Sequence, residues 1–172
     1  MTVRFPGMTF DAVEVRTASA DETRALAARL AEVAQPGDRI ALSGPLGAGK
    51  TVFAKGFAAG LGVREVVNSP SFTLMAEYSG RLPLFHQDLY RLGGAEEVLA
   101  GGLLDERQEE GVTLTEWAER LPAQIDAERV TVTIALLDGD GRRFEVRAAD
   151  PRHGRYVEAA AAWAAAAAER TR

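Results

Sequence analysis

The chain has 172 residues and a net charge of −5, with 47% hydrophobic and 26% charged residues. That length suits one domain with a substantial core, and the acidic balance argues against a surface built for nucleic acid, whose footprint is basic. With no cysteine in the chain, disulfides, thiolate zinc sites and cysteine nucleophiles are all excluded.

No apolar run reaches the length of a membrane span, and the residues from Phe5 to Glu14 lack a charged-then-apolar leader pattern. The expected location is therefore the cytoplasm. Residues Asp11 to Arg16 alternate apolar and polar, which predicts a strand. Ser19 and Asp21 offer N-caps for a helix over Asp21 to Ala34, apolar at Leu26, Leu30 and Val33. Pro36-Gly37-Asp38 then turns the chain into a short buried strand, Ile40 to Leu42.

The next eight residues, Gly44-Pro45-Leu46-Gly47-Ala48-Gly49-Lys50-Thr51, fit the phosphate-loop template of Gly, four residues, then Gly-Lys-[Ser/Thr]. Glycines let backbone N–H groups turn toward a phosphate, a lysine reaches the outer phosphates, and a hydroxyl ligates magnesium. The template requires a strand before it and a helix N-terminus after it, and the helix predicted over Lys50 to Ala59 supplies the second. Lysine occurs only at Lys50 and Lys55 in a chain otherwise rich in arginine, so the compact ammonium at the phosphate position breaks the chain's own habit. A bound nucleoside triphosphate with Mg²⁺ is the expectation. Gly60 and Gly62 close the helix.

Val66 to Leu74 is hydroxyl-rich around Pro70, and reads equally as a loop leading into a strand or as a switch-like loop sensing the γ-phosphate or the metal. Leu74 to Tyr78 and Leu82 to Phe85 flank Ser79-Gly80-Arg81 as a hairpin. The second arm runs into His86 and Asp88, at the strand end where open α/β sheets place their ligands. His86 reads more simply as a structural hydrogen-bonder than as a ligand. Ala95 to Ala100 looks helical, and Asp105 to Glu110 reads as a solvated helical face. Val112 to Trp117 is a short β-rich run ending in Glu116, either an acid delivered toward a metal or the cap of a helix from Trp117 to Leu121. Arg129 to Leu137 and Arg142 to Arg147 form a hairpin around Asp138-Gly-Asp-Gly141, which lacks calcium-loop spacing. From Pro151 the tail predicts an alanine-rich helix that packs weakly, within a single domain over 1–172.

A guanine-reading Asn-Lys-x-Asp motif is excluded, because the one asparagine, Asn68, is followed by Ser69; ATP is the better expectation. A small-molecule kinase would share the phosphate loop but add an arginine-rich lid, of which no compact cluster is evident. A nucleotide-controlled assembly module is a third reading.

The combination of Gly44 to Thr51, Ser69-Pro-Ser-Phe-Thr-Leu74, His86-Gln-Asp-Leu-Tyr-Arg-Leu92 and Glu116-Trp117 resembles the TsaE family, small bacterial ATPases of tRNA threonylcarbamoyladenosine biosynthesis. The resemblance spans about residues 15 to 145. It implies a P-loop NTPase-like three-layer α/β fold with a mixed central sheet of parallel strands plus antiparallel hairpins. It also implies weak ATPase activity alone, action with TsaB and TsaD, and contact with tRNA only through that complex. On the same resemblance Lys50 holds the outer phosphates, while Gly44, Leu46, Gly47, Ala48, Gly49, Thr51, Val52 and Trp117 complete the nucleotide site. Thr51, Glu116 and Asp88 are the metal-side candidates, with Asp88, Glu116 and Lys50 the catalytic set. Ser69, Ser71 and Thr73 match the family's switch-like loop. The division of roles between Asp88 and Glu116 stays open, and Arg91 is a candidate arginine finger in cis. The chain departs from the family at Pro45, where an aspartate is common, and at Ser71, which replaces the usual threonine.

Overall fold

The computed structural model describes residues 2–4, 11–70, 73–91, 106–120 and 129–172, with the side chains of 2–4 and 11 excepted. The helix expected over 95–100, the glycine pairs at 93–94 and 101–102, and Ser71 lie outside the described residues. Strands β1 (Thr2–Arg4) and β2 (Asp11–Thr17) precede helix α1 (Ala20–Glu32), strand β3 (Arg39–Ser43) and helix α2 (Lys50–Gly60). Then come β4 (Met75–Tyr78), β5 (Leu84–Asp88), β6 (Val112–Glu116), β7 (Val130–Leu136), β8 (Arg142–Ala148) and helix α3 (Gly154–Arg170). The charged run forms a short 3₁₀ turn, Glu106–Glu110, and a second, Ala118–Arg120, follows Trp117 in place of a regular helix; Leu121 is outside the described residues.

The eight strands form one sheet in the order β1-β2-β8-β7-β3-β6-β5-β4. β3 lies between β6 and β7 and runs parallel to both, β5 is parallel to β6, and the remaining pairs are antiparallel. The sheet is thus mixed, as the alternation of crossovers and hairpins in the sequence implies. Its register carries the site. Val13, Val146, Val132, Leu42, Glu116 and Asp88 fall in one cross-strand row, so a row that begins in aliphatic core ends in two acids at the carboxyl ends of adjacent parallel strands.

Helix α1 starts where the sequence places it, because the Glu22 N–H donates to Ser19 Oγ at 3.2 Å and the Glu22 carboxylate accepts from the Ala18 N–H at 2.6 Å. Its buried stripe of Leu26, Ala27, Leu30 and Ala31 joins Phe53, Ala54, Phe57 and Ala58 of α2 and the aliphatic face of the sheet in one core. The two helices meet backbone to backbone: a Cβ on Gly56 would stand 2.5 Å from the Arg24 carbonyl oxygen. Only glycine allows that approach, which sets where α2, and hence its N-terminus, sits.

The tail differs from expectation. Alanine composition suggests weak packing, yet Tyr156, Val157, Ala160 and Trp163 of α3 are buried in the same core, while the turns beyond them are largely exposed. The first turn of α3 also holds an anchor: Tyr156 OH donates to Asp38 Oδ2 at 2.5 Å, and Arg155 donates to the same oxygen. The Gln35 N–H donates to it at 2.8 Å, and His153 Nε2 lies 3.4 Å from Oδ1. Asp38 immediately precedes β3, so α3 steadies the strand that feeds the glycine loop.

Burial, reinforced by the Asp38 charge, pushes ionisation of Tyr156 far above its ordinary value of 10.0. The folded protein therefore keeps this proton where the unfolded chain releases it, and the stabilisation, complete below pH 10, is lost as pH rises beyond, by about 1.4 kcal/mol per pH unit. Urea unfolding at about pH 8 and pH 11 checks this. Tyr156→Phe is expected to cost about 1–2 kcal/mol at the lower pH and to show a shallower alkaline loss than the wild type. Parallel losses in the two proteins would contradict the assignment.

Candidate functional site

The glycine loop connects β3 to α2. A Cβ on Gly44 would meet the Ile134 carbonyl oxygen at 2.7 Å, so the loop's first glycine is required by its approach to β7. Gly49 caps α2 with φ of 104° and no side-chain hydrogen bond to the helix, which directs the helix's positive end and its first N–H groups at whatever lies over the loop. Lys50 Nζ donates to the carbonyls of Gly44 at 2.6 Å and Pro45 at 2.9 Å, and stands 3.8 Å from the Trp117 ring centroid. Its partial burial lowers its pKa, and the charges of Glu119, Glu116 and Asp88 oppose that shift.

The acids reach the loop from the sheet. Thr51 Oγ1 donates to Glu116 Oε1 at 3.3 Å, and the other oxygen of Glu116 pairs with His86 Nε2 at 2.6 Å. Asp88 accepts the Tyr90 N–H on Oδ1 at 2.9 Å, while Ser69 Oγ donates to its Oδ2. Glu116 and Asp88 are both nearly fully buried. Trp117 follows with φ of 57°, an uncommon backbone state for a bulky residue. The Tyr90 ring, 4.9 Å away, and the Lys50 ammonium hold its side chain in place.

A cavity of about 370 Å³ opens between these elements. It is lined by Leu46, Gly47, Ala48, Gly49, Lys50, Thr51, Val52, Ser69, Asp88, Tyr90, Glu116 and Trp117. Gly44 contributes its carbonyl from behind Lys50. Thr73 and Arg91 are exposed and do not line the cavity. His86 is fully buried beneath Glu116 and does not line it either.

Hydroxyl and carboxylate oxygens are hard donors that suit magnesium, calcium or manganese. Thr51 and Glu116, already in contact, would supply two of them, with Asp88 beside Glu116. Among the described residues no cluster of three or more His, Cys, Asp or Glu side chains is arranged to hold a metal alone. An ion such as Mg²⁺ would need only one or two such protein oxygens, with the rest of its shell completed by other oxygens and water.

Two residues escape sequence reasoning. Tyr90 lies inside a quoted motif, but its place in the cavity depends on the turn after β5. Arg142, on β8, donates through Nε to the Ala48 carbonyl at 3.0 Å and through its NH2 group to the Gly47 carbonyl at 3.3 Å, bracing the loop from the far hairpin. A second cavity of about 180 Å³ adjoins the first at Gly49 and Val52 and is bounded by Ala20, Thr23, Asp140 and Arg142. No helix among the described residues is long and apolar enough to cross a membrane.

A family model described as "Threonylcarbamoyl adenosine biosynthesis protein TsaE" matches residues 17–144. The chain is 44% identical over 144 residues to the tRNA threonylcarbamoyladenosine biosynthesis protein TsaE of Bacillus subtilis (strain 168), covering 83% of this chain and 90% of that one. It is 39% identical over 125 residues to the protein of the same name from Treponema pallidum (strain Nichols), covering 73% and 92% respectively. The crystal structure of Bacillus subtilis YdiB superposes with a TM-score of 0.70 at 38% identity, covering 90% of this chain and 97% of that one.

Proposed function

The chain belongs to the TsaE family of threonylcarbamoyladenosine biosynthesis proteins, and from that premise we propose that it is a cytoplasmic, Mg²⁺-dependent ATPase of P-loop NTPase type. The observation that carries the reading is the meeting of Thr51 and Glu116 at 3.3 Å beside Lys50. Phosphate-loop, metal-side and charge-neutralising groups then converge on one cavity.

In this reading the loop N–H groups and Lys50 hold the phosphates and neutralise charge that develops on them. Mg²⁺, when bound, would be held from the Thr51 and Glu116 side and would supply electrostatic stabilisation of the phosphate charge. Glu116, bracketed by Thr51 and His86, serves the metal side. Asp88, with one oxygen fixed by the Tyr90 amide, orients a water through the oxygen that Ser69 occupies. Among the described residues no arginine lines the cavity, so the reading expects slow hydrolysis by the chain alone and a finger supplied in trans. TsaB and TsaD are the proposed partners, with tRNA reached through them.

The second cavity is placed to take the nucleoside, because it continues from the helix that holds the phosphates. Binding of ATP and of inorganic tripolyphosphate by calorimetry tests this arrangement. Ala20→Trp, at a position that lines only the second cavity, is expected to weaken ATP by about tenfold or more, on the order of 1.4 kcal/mol, while tripolyphosphate binds as before. Equal losses for both ligands would contradict it.

A further inference from the structure

We propose that His86 is a positioning residue for this reaction, one that sets the orientation of the Glu116 carboxylate; the proposal rests on the ATPase reading above. His86 is completely buried and belongs to the row Ala148, Val130, Ile40, Leu114, His86, which is otherwise aliphatic. Packing alone favours another aliphatic side chain there. Among the described residues the imidazole makes one hydrogen bond, from Nε2 to Glu116 Oε2 at 2.6 Å, and the buried Nδ1 has no partner. An ionised carboxylate only accepts, so Nε2 donates to it, and the buried Nδ1 is left without a partner. The fold bears the cost of that unpaired nitrogen, and what it gains is the bond to Glu116.

That bond fixes the plane of the carboxylate. With Oε2 tied to His86 from below, Oε1 is the oxygen that meets Thr51 Oγ1. Without His86 the glutamate side chain keeps, among the described residues, the Thr51 hydroxyl as its hydrogen-bonded side-chain anchor, and its rotamer is no longer determined from both sides. Partners that orient a metal-side carboxylate commonly change metal affinity by about 10–100-fold when removed.

The test measures binding of a fluorescent ADP analogue as Mg²⁺ is titrated, for wild type, His86→Leu, His86→Asn and His86→Gln, each also in a Glu116→Gln background. Glutamine places its amide nitrogen near the position of Nε2, whereas asparagine does not reach it. The leucine and asparagine variants are expected to raise the Mg²⁺ concentration for half-maximal tightening about tenfold or more. The glutamine variant should stay within about threefold of wild type, and Mg²⁺-free nucleotide affinity should be unchanged in all three. In the Glu116→Gln background the same substitutions should add nothing. If His86→Leu does not fold, the asparagine and glutamine pair carries the comparison. Wild-type Mg²⁺ titrations in the leucine and asparagine variants, or a shift that persists in full without the Glu116 carboxylate, would overturn the proposal. Failure of the wild-type chain to bind the nucleotide at all would instead overturn the ATPase reading beneath it.

Discussion

Lys50→Ala is expected to lower ATP hydrolysis by about 10²–10³-fold or more, because on the proposed function it removes the cation that would neutralise charge on the outer phosphates. Lys50 Nζ now sits on the Gly44 and Pro45 carbonyls under the Trp117 ring, partly desolvated. The same substitution relieves that desolvation while leaving two carbonyls at the rim of an open cavity, so the stability of the protein itself should change by no more than about 1 kcal/mol. The two effects separate in a thermal-shift experiment. If the proposed site binds ATP, ATP with Mg²⁺ at about 100 times its Kd should stabilise the wild type by about 2.7 kcal/mol, or roughly 5–10 °C in Tm for a chain of this length. The variant should start near the wild-type Tm and gain little from ATP. A full ATP-induced shift in the variant would mean the nucleotide is held elsewhere.

The acids carry the second large effect. Glu116→Gln and Asp88→Asn preserve shape and remove charge, and each is expected to lower hydrolysis by about 10²–10⁴-fold while nucleotide binding without Mg²⁺ persists. The two should differ in kind. Glu116 shares its carboxylate with Thr51, so its loss should raise the Mg²⁺ requirement; Asp88 is held by the Ser69 hydroxyl and the Tyr90 amide, so its loss should lower kcat at an unchanged Mg²⁺ midpoint. Initial rates across an Mg²⁺ series distinguish them. Identical Mg²⁺ profiles for the two variants would contradict this division of labour.

How much of this is written locally in the chain depends on the range of the interaction. The glycine loop is legible because its chemistry lies within eight consecutive residues, and α1 because Ser19 and Glu22 cap it within one turn. Glu116 and Asp88 are legible as acids at strand ends. Their adjacency is not, since it arises from parallel pairing of β5 with β6 and from the register that sets Asp88 opposite Glu116. Arg142 braces the Ala48 carbonyl from 94 positions away in sequence, a contact that no local pattern announces. The tail misleads for a related reason: alanine count measures helix propensity, whereas docking of α3 depends on Tyr156 and Arg155 finding Asp38 across the fold. His86 reads locally as a structural hydrogen-bonder, and only the diagonal across two strands shows that its partner is Glu116.

The most direct measurement is ATP hydrolysis by the purified chain, alone and with TsaB and TsaD, alongside Lys50→Ala and Glu116→Gln. The account predicts slow turnover by the chain alone, stimulation by the partners, and loss of both in each variant. Hydrolysis that neither substitution reduces, or ADP that appears only when a small-molecule phosphate acceptor is supplied, would contradict it.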